Sequence, residues 1–366
     1  MKSLIVVAHP DDEVLWFSSI LLRDKCDVIC VTCGRDKYDR EIRRNAFEKS
    51  MNILGIDSYD MLFYPDKKQR LDTKKLIKYF ENLPKDEYSK VYTHGPYGET
   101  YENPHHQDVC YSVHTQFNNP FSISWNLYPD IINELDQEEY RIKKYLLGTV
   151  YSREYKLLKD AYEISNVEKF VRLSKESIEI YYFGISNFGD NHEFLGRKYP
   201  DFWGFKNSPY ELERHQMIFD LTKSVPHNNI IEFGSCEGVL TERLNQIGNI
   251  FCVEKAPIYK ERLKNKGFKL IDNPKTEQYD ISIISAFLEY LPNPGKFLKS
   301  IKSNYLLVDV ILNSGLDNKL KNILNEYLII DEKIIRPRWE NIFYGDKKDK
   351  LEVYRMGSHG YLFKRQ

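Results

Sequence analysis

The sequence predicts an α/β protein built from two three-layer domains in succession. Three observations carry this. Apolar, β-branched runs alternate with amphipathic stretches over the first half of the chain, and a second such series begins near residue 208. Between them lies a turn-rich stretch with Gly189, Pro200 and Gly204. The length, 366 residues, suits two cores better than one.

In the first series, strands are expected at 3–8, 27–32, 59–64, 90–94 and 146–151. Helices are expected at 13–23, 38–54, 73–83, 106–117, 128–135 and 153–162. Ser165 to Tyr182 is read as a further helix followed by a strand. The second series opens with a helix over 210–222. Strands follow near 229–233, 249–254, 268–272, 279–285, 304–310, 326–331 and 351–364. This places one domain at 1–190, a linker at 191–207 and a second domain at 208–366.

Composition narrows the function. The chain is 42% hydrophobic and 29% charged, with 53 basic against 54 acidic residues and a net charge of −1. Such balance argues against a general nucleic-acid or anionic-membrane binder. No apolar run approaches the roughly 18–20 residues of a membrane span. A cytoplasmic protein is expected, and the sequence sets no oligomeric state. The six cysteines are scattered, and Cys30 and Cys33 fall on or beside one strand with their side chains on opposite faces. They read as core residues rather than a redox or zinc pair.

The chemistry is densest at the amino terminus. Ser3–Ala8 reads as a buried strand that empties into His9-Pro10-Asp11-Asp12-Glu13. Imidazole and carboxylate groups are then packed at the carboxyl end of a first strand, where ligands collect in an open α/β sheet. His and Asp offer the donors that zinc accepts, and a spare Asp can act as a general base. Ala8-His9-Pro10-Asp11-Asp12-Glu13 after an N-terminal strand resembles the PIG-L/LmbE-like zinc-dependent N-acetylglucosaminyl deacetylases. Gly95-Pro96-Tyr97-Gly98-Glu99-Thr100-Tyr101-Glu102-Asn103-Pro104-His105-His106 resembles that family's G-E-Y-G-H-P-x-H, with one extra residue around Thr100. The resemblance implies Zn2+ held by His9, Asp12 and His106, with Asp11 as the general base. It places Asn103 where the family has a histidine that stabilises the oxyanion; an amide can donate there but cannot become a cation. His94 or His105 can take over that role. Arg44, in a region resembling R-x-x-E…LG with Phe47 in place of Glu, and His105 are the candidate substrate contacts. His114 reads as packing or as a supporting residue.

The second series has a different first turn, Glu232-Phe233-Gly234-Ser235-Cys236-Glu237-Gly238, after a strand and before a helix. Glycine lets backbone approach a ligand closely, and Glu254, at the end of the next strand, can grip two ribose hydroxyls. The dinucleotide pattern G-x-G-x-x-G is absent, which disfavours NAD. The segment resembles class I S-adenosylmethionine-dependent methyltransferases. Ser208–Arg214, Glu237–Leu244 and Ser285–Leu291 resemble the nodulation-factor N-methyltransferase branch, with Ala286 where that branch commonly has Glu. This implies two Rossmann-like domains, a deacetylase fold and a methyltransferase fold. Glu232, Gly234, Ser235, Gly238, Glu254 and Asp272 are then the cofactor contacts. Tyr210 and Glu289, with Glu211 and His359 beside them, are the candidates for activating the acceptor.

Together these features predict a bifunctional enzyme. The first domain removes acetate from an N-acetylated amino sugar, and the second methylates the product, most simply on the freed amine. Three alternatives remain open at this point: O-methylation, a non-catalytic carbohydrate-binding scaffold with decayed sites, to which Asn103 and Ala286 would belong, and a deacetylase whose second domain binds S-adenosylmethionine as a regulator.

Overall fold

The structure is a computed structural model and describes residues 1–67, 69–99, 103–124, 129–158, 164–185, 192–201, 203–343 and 350–366. It divides into two compact units, Met1–Tyr182 with Asp349–Glu352, and Phe183–Lys348 with Val353–Gln366. Each contains one seven-stranded sheet.

The first unit runs β1 (Lys2–Val7), α1 (Asp12–Arg23), β2 (Cys26–Thr32), α2 (Lys37–Leu54), β3 (Ser58–Tyr64), α3 (Thr73–Glu81), β4 (Tyr88–Thr93), α4 (Pro104–Gln116), β5 (Phe121–Ile123), β6 (Ile131–Glu134), α5 (Gln137–Tyr145), α6 (Ser152–Leu158), β7 (Val167–Arg172) and α7 (Lys175–Ile180). The sheet order is β3-β2-β1-β4-β5-β7-β6, parallel except for β7, which runs antiparallel to both its neighbours. β1 is central and its side chains split by parity. Ile5 and Val7 join Phe17, Phe47 and Tyr92 on one face, while Leu4, Val6 and Ala8 join Leu76, Phe80 and Val109 on the other. A strand buried on both faces must be continuously apolar, which is why Leu4–Ala8 reads as it does.

Local signals set the helix ends. Asp36 caps α2 by accepting from Asp39 N at 2.9 Å, and Gly55 ends it with φ 69°. Asp136 and Glu139 form a capping box on α5. α1 is kinked at Phe17 (φ −129°). The kink frees the Ser18 and Ser19 amides, and both donate to the Glu168 carboxylate at 3.0 and 2.9 Å. Glu168 is in turn paired with Lys143 Nζ at 2.7 Å, and both side chains are buried.

Three assignments differ from the sequence expectation. Residues 128–135, expected as a helix, contain the edge strand β6, whose Ile131 and Ile132 alternate in burial and pair with Phe170 and Lys169 of β7. Residues 146–151, expected as a strand, instead continue α5 as a π-helical turn whose Leu146 and Leu147 pack on Val14 and Leu15. Strand β7 precedes helix α7, the reverse of the expected order. Short apolar runs carry no decisive period, and their partners are distant in sequence. The expected helix 153–162 is α6 up to Leu158; residues 159–163 lie outside the described residues, as do Thr100 and 188–191.

The second unit runs α8 (His192–Lys198), α9 (Pro209–Lys223), β8 (Asn229–Phe233), α10 (Val239–Leu244), β9 (Asn249–Val253), α11 (Pro257–Asn265), β10 (Lys269–Leu270), β11 (Ile281–Ser285), α12 (Pro294–Ser300), β12 (Tyr305–Ile311), α13 (Asp317–Ile323), β13 (Tyr327–Ile335), β14 (Arg338–Phe343), β15 (Lys350–Arg355) and β16 (Ser358–Arg365). Its sheet order is β10-β9-β8-β11-β12-β16-β13, with β16 antiparallel to both neighbours. β14 pairs with β15 outside this sheet. The tail expected as one strand over 351–364 is therefore two strands, broken at Gly357 (φ 85°). No helix among the described residues is long and apolar enough to cross a membrane.

Candidate active site

In the first unit, β1 and β4 are neighbours, and the loops after them meet at the carboxyl edge of the sheet. His9 Nδ1, Asp12 Oδ2 and His106 Nε2 form a triangle with sides of 3.2, 3.3 and 3.0 Å. Ligands about 2.0–2.2 Å from a tetrahedral zinc stand roughly 3.3–3.6 Å apart, so two imidazoles and one carboxylate close to this spacing fit that ion. All three residues are buried.

The electrostatics agree with a cation at this place. Burial pushes the His9 imidazole down to about 4. Burial also opposes charge on His106, yet the Asp12 and Glu99 carboxylates overcome it and hold this imidazole up at about 10. Burial would raise Asp12 too, but His106 and His94 pull its carboxyl well below the usual range. A metal at this place would displace the proton that His106 holds and supply the positive charge in its stead.

Supporting residues surround the triangle. Glu99 Oε2 accepts from His106 Nδ1, so the carboxylate fixes the tautomer that presents Nε2 to the triangle. Burial would raise Glu99, but His106 and His94 bring it down to about 2. Glu99 Oε1 accepts from Gly95 N at 2.9 Å, which ties the loop after β4. Gly98 (φ 78°) makes the turn possible, because a Cβ there would lie 2.6 Å from the Asn103 carbonyl oxygen. His94 stacks on His106 with ring centroids 3.9 Å apart. Its Nε2 accepts from Ala8 N at 2.9 Å and is thereby withdrawn from ligation.

Asp11 stands beside the triangle at φ 114°, strained for a residue with a side chain. Its amide donates to Glu13 Oε2 at 2.9 Å, and Tyr151 donates to Glu13 Oε1 at 2.5 Å. Burial pushes the Asp11 carboxyl well above its usual range, and Arg43 offsets this only in part. Arg43 Nη2 donates to the Pro10 carbonyl oxygen at 2.9 Å and lies 3.4 Å from Asp11 Oδ1, while Nη1 reaches Asp66 at 2.8 Å.

The structure separates several expected residues from this cluster. Arg44 lies half-exposed and pairs with Glu48, so Arg43, one residue earlier, is the arginine that faces the site. Asn103 caps α4, its Oδ1 accepting from His105 N at 3.0 Å. Phe47 is fully buried core. His114 donates from Nδ1 to the Cys110 carbonyl oxygen at 2.9 Å and is a packed residue. His105 is inside the cluster, with Nδ1 3.1 Å from His9 Nε2. Glu99, Asp66, Arg43 and Tyr151 were missed. Glu99 lay within the quoted motif, whereas the other three reach the site from elements distant in sequence.

In the second unit, the turn after β8 is built from three residues at positive φ: Gly234 (75°), Cys236 (47°) and Gly238 (74°). A Cβ on Gly234 would lie 2.9 Å from Phe287, in the loop after β11. Glu254 holds this turn, because its Oε2 accepts from Cys236 N at 2.9 Å and its Oε1 from Lys255 N and Ala256 N at 2.6 and 2.9 Å. Three of the roughly four acceptor directions of the carboxylate are thus in use. Glu232 is buried, accepts from Thr241 Oγ1 at 2.5 Å and is pushed up to about 7 by burial. Ser235 Oγ donates to the Glu232 carbonyl oxygen. Asp272 is exposed and paired with Lys260 Nζ at 2.7 Å.

The four acceptor-activating candidates differ. Tyr210 is packed between the Arg338 and Arg355 guanidinium groups. Glu211 is paired with Arg214 and Arg355, and these cations hold its carboxyl down against burial. His359 is engaged by Asp317 and Glu332. Glu289 accepts from Ile311 N at 3.0 Å through one oxygen, while Oε2 is buried without a hydrogen-bond partner among the described residues. Burial raises its carboxyl. Arg214, buried and joined to Ser285 and Asp309 as well as Glu211, was not legible from sequence.

Residues 4–117 match the family model PIG-L, described as GlcNAc-PI de-N-acetylase. These residues are a PIG-L domain. The PIG-L domain contains every residue of the triangle, with Asp11, Arg43, Asp66 and Glu99. Among curated proteins, the uncharacterised protein L374 of Acanthamoeba polyphaga mimivirus is 28% identical over 176 residues, 44% of this chain and 75% of that protein. Among solved structures, the chain is similar to the N-methyltransferase NodS of Bradyrhizobium japonicum WM9, in complex with S-adenosyl-L-homocysteine. The identity is 16%, the coverage 48% of this chain and 99% of that one, and the TM-score 0.38. It is also similar to N,N'-diacetylchitobiose deacetylase from Pyrococcus horikoshii at 16% identity, covering 48% and 84% of the two chains with a TM-score of 0.35.

Proposed function

We propose that this chain is a bifunctional enzyme that removes the acetyl group from an N-acetylated amino sugar and methylates the product. The observation that carries the first activity is the His9–Asp12–His106 triangle inside the PIG-L domain, with a raised carboxyl, Asp11, beside it. Zinc held there supplies Lewis acidity toward the acetamide carbonyl and the attacking water. Asp11 takes the proton from that water and returns it to the departing nitrogen, a general-base role open to a buried carboxyl beside the triangle. Arg43 holds Asp11 in place from the Pro10 carbonyl and Asp66. Asn103 has its side-chain oxygen committed to capping α4, which leaves its amide N–H2 as the group that can donate to a developing oxyanion.

The second activity rests on the positive-φ turn after β8 and its anchor Glu254. S-adenosylmethionine supplies an electrophilic methyl group. Gly234 lets its backbone approach the cofactor, Glu254 and Asp272 face its ribose and adenine ends, and Glu232, Ser235 and Gly238 complete the turn. Glu289 accepts the proton that the attacking amine must lose, since its Oε2 has no hydrogen-bond partner among the described residues. An acetamide nitrogen is delocalised into its carbonyl, so N-methylation must follow deacetylation.

Mass spectrometry of N-acetylhexosamine glycosides tests both steps. Zinc alone should remove one acetyl group, and added S-adenosylmethionine should then add one methyl. The Asp11→Ala protein should methylate a synthetic free-amine sugar but not its N-acetyl form. Equal methylation of both forms would make a hydroxyl the acceptor.

A further inference from the structure

We propose that His105 is a positioning residue that fixes the tautomer of His9, and so aims the His9 Nδ1 lone pair at the metal triangle. This rests on the zinc reading of that triangle and deepens it. A neutral imidazole has one N–H and one lone pair. His9 Nδ1 faces Asp12 and His106, so a cation there requires the proton on Nε2. Both ring nitrogens sit in a buried residue, and a buried N–H needs an acceptor. The acceptor within reach of Nε2 is His105 Nδ1, at 3.1 Å; Asp66 Oδ1 is 3.7 Å away and engaged by Arg43 through its other oxygen.

The direction of this chain is set at its far end. His105 Nε2 lies 2.9 Å from the Gln69 carbonyl oxygen, which can only accept. His105 must therefore carry its proton on Nε2 and keep the Nδ1 lone pair for His9. Gln69 O thus specifies His105, and His105 specifies His9. His105 itself is fixed at the first turn of α4, where its amide donates to the Asn103 cap. His106 is oriented separately, by Glu99. The family pattern leaves the position of His105 open, and this chain fills it with the one side chain that can relay a tautomer.

The test is zinc affinity of the full-length protein, read by competition with a chromophoric chelator and without substrate. His105→Phe keeps a flat ring but offers no acceptor, and it should weaken zinc binding by about 10–100-fold. His105→Asn places a carbonyl oxygen near the Nδ1 position and should bind within about threefold of wild type, since the supporting acceptor is restored. The visible spectrum of the cobalt-substituted protein should change in His105→Phe and be kept in His105→Asn. Should His105→Phe fail to fold, His105→Leu poses the same question. Wild-type affinity in the Phe or Leu variant, or an equal loss in the Asn variant, overturns the proposal. So does binding of two zinc ions by wild type and one by His105→Phe, which would make His9, Asp66 and His105 a second metal site. Tight binding of one zinc without acetamide hydrolysis would overturn the deacetylase reading and leave this inference standing. No zinc binding by wild type would overturn both.

Discussion

The two units share one strand order. Numbered among the seven strands of each sheet it is 3-2-1-4-5-7-6, with the seventh antiparallel in both. Their first turns are nevertheless opposites. After β1 the backbone strain falls on Asp11, and the turn delivers two carboxylates and an imidazole. After β8 positive φ falls at Gly234, Cys236 and Gly238, and the two glycines adopt it without a Cβ penalty and leave the backbone open beside them. The fourth strands differ likewise: the loop after β4 carries His94 and Glu99, whereas the loop after β11 carries Phe287 against Gly234. The shared order sets strands 1 and 4 side by side and opens a crevice where the chain reverses direction across the sheet. The framework thus chooses the place of the site, and a handful of loop residues choose between side-chain donors and a backbone cradle.

This contrast can be broken experimentally. The largest effect is expected for His106→Ala, which should abolish zinc retention and lower acetamide hydrolysis by more than about 10³-fold, because the ligand set falls below three. S-adenosylmethionine affinity, measured by calorimetry on the same protein, should be unchanged; a parallel loss would mean that the two sites are not separate. Asp11→Asn should lower hydrolysis by about 10²–10⁴-fold while leaving bound zinc near one per chain by elemental analysis. Loss of zinc would make Asp11 a ligand rather than a base.

The second unit carries a pH signature of its own. Glu232 is raised by burial from 4.5 to about 7, so between these values the folded state holds a proton that the unfolded state has released. Its stability should then fall as pH rises through this window, by on the order of 3 kcal/mol in full. Glu232→Gln should flatten that slope in thermal melts between pH 5 and 8, and a variant that keeps the slope would assign it to another group. The smallest effect is expected for Gly234→Ala. Its Cβ must displace Phe287, and S-adenosylmethionine binding should weaken about tenfold, with zinc binding intact. Undiminished cofactor binding would move the cofactor away from this turn.

What the sequence determined by itself was local. The apolar run Leu4–Ala8 specified a strand buried on both faces, and the motif behind it specified His9, Asp11 and Asp12, because these residues are consecutive. The glycines of the second turn were legible as a close-approach turn for the same reason, and their positive φ came from the structure. His106 needed a family pattern, since nothing within the chain's local order links residue 106 to residue 9. Only the tertiary structure brought Arg43, Asp66 and Tyr151 to the site, moved the arginine contact from Arg44 to Arg43 and turned Asn103 into a helix cap. It also decided β6, because Ile131 and Ile132 become a strand only when β7 supplies the partner hydrogen bonds. Neighbouring residues announce themselves through spacing; groups that meet across a sheet edge depend on packing directions that no single segment encodes.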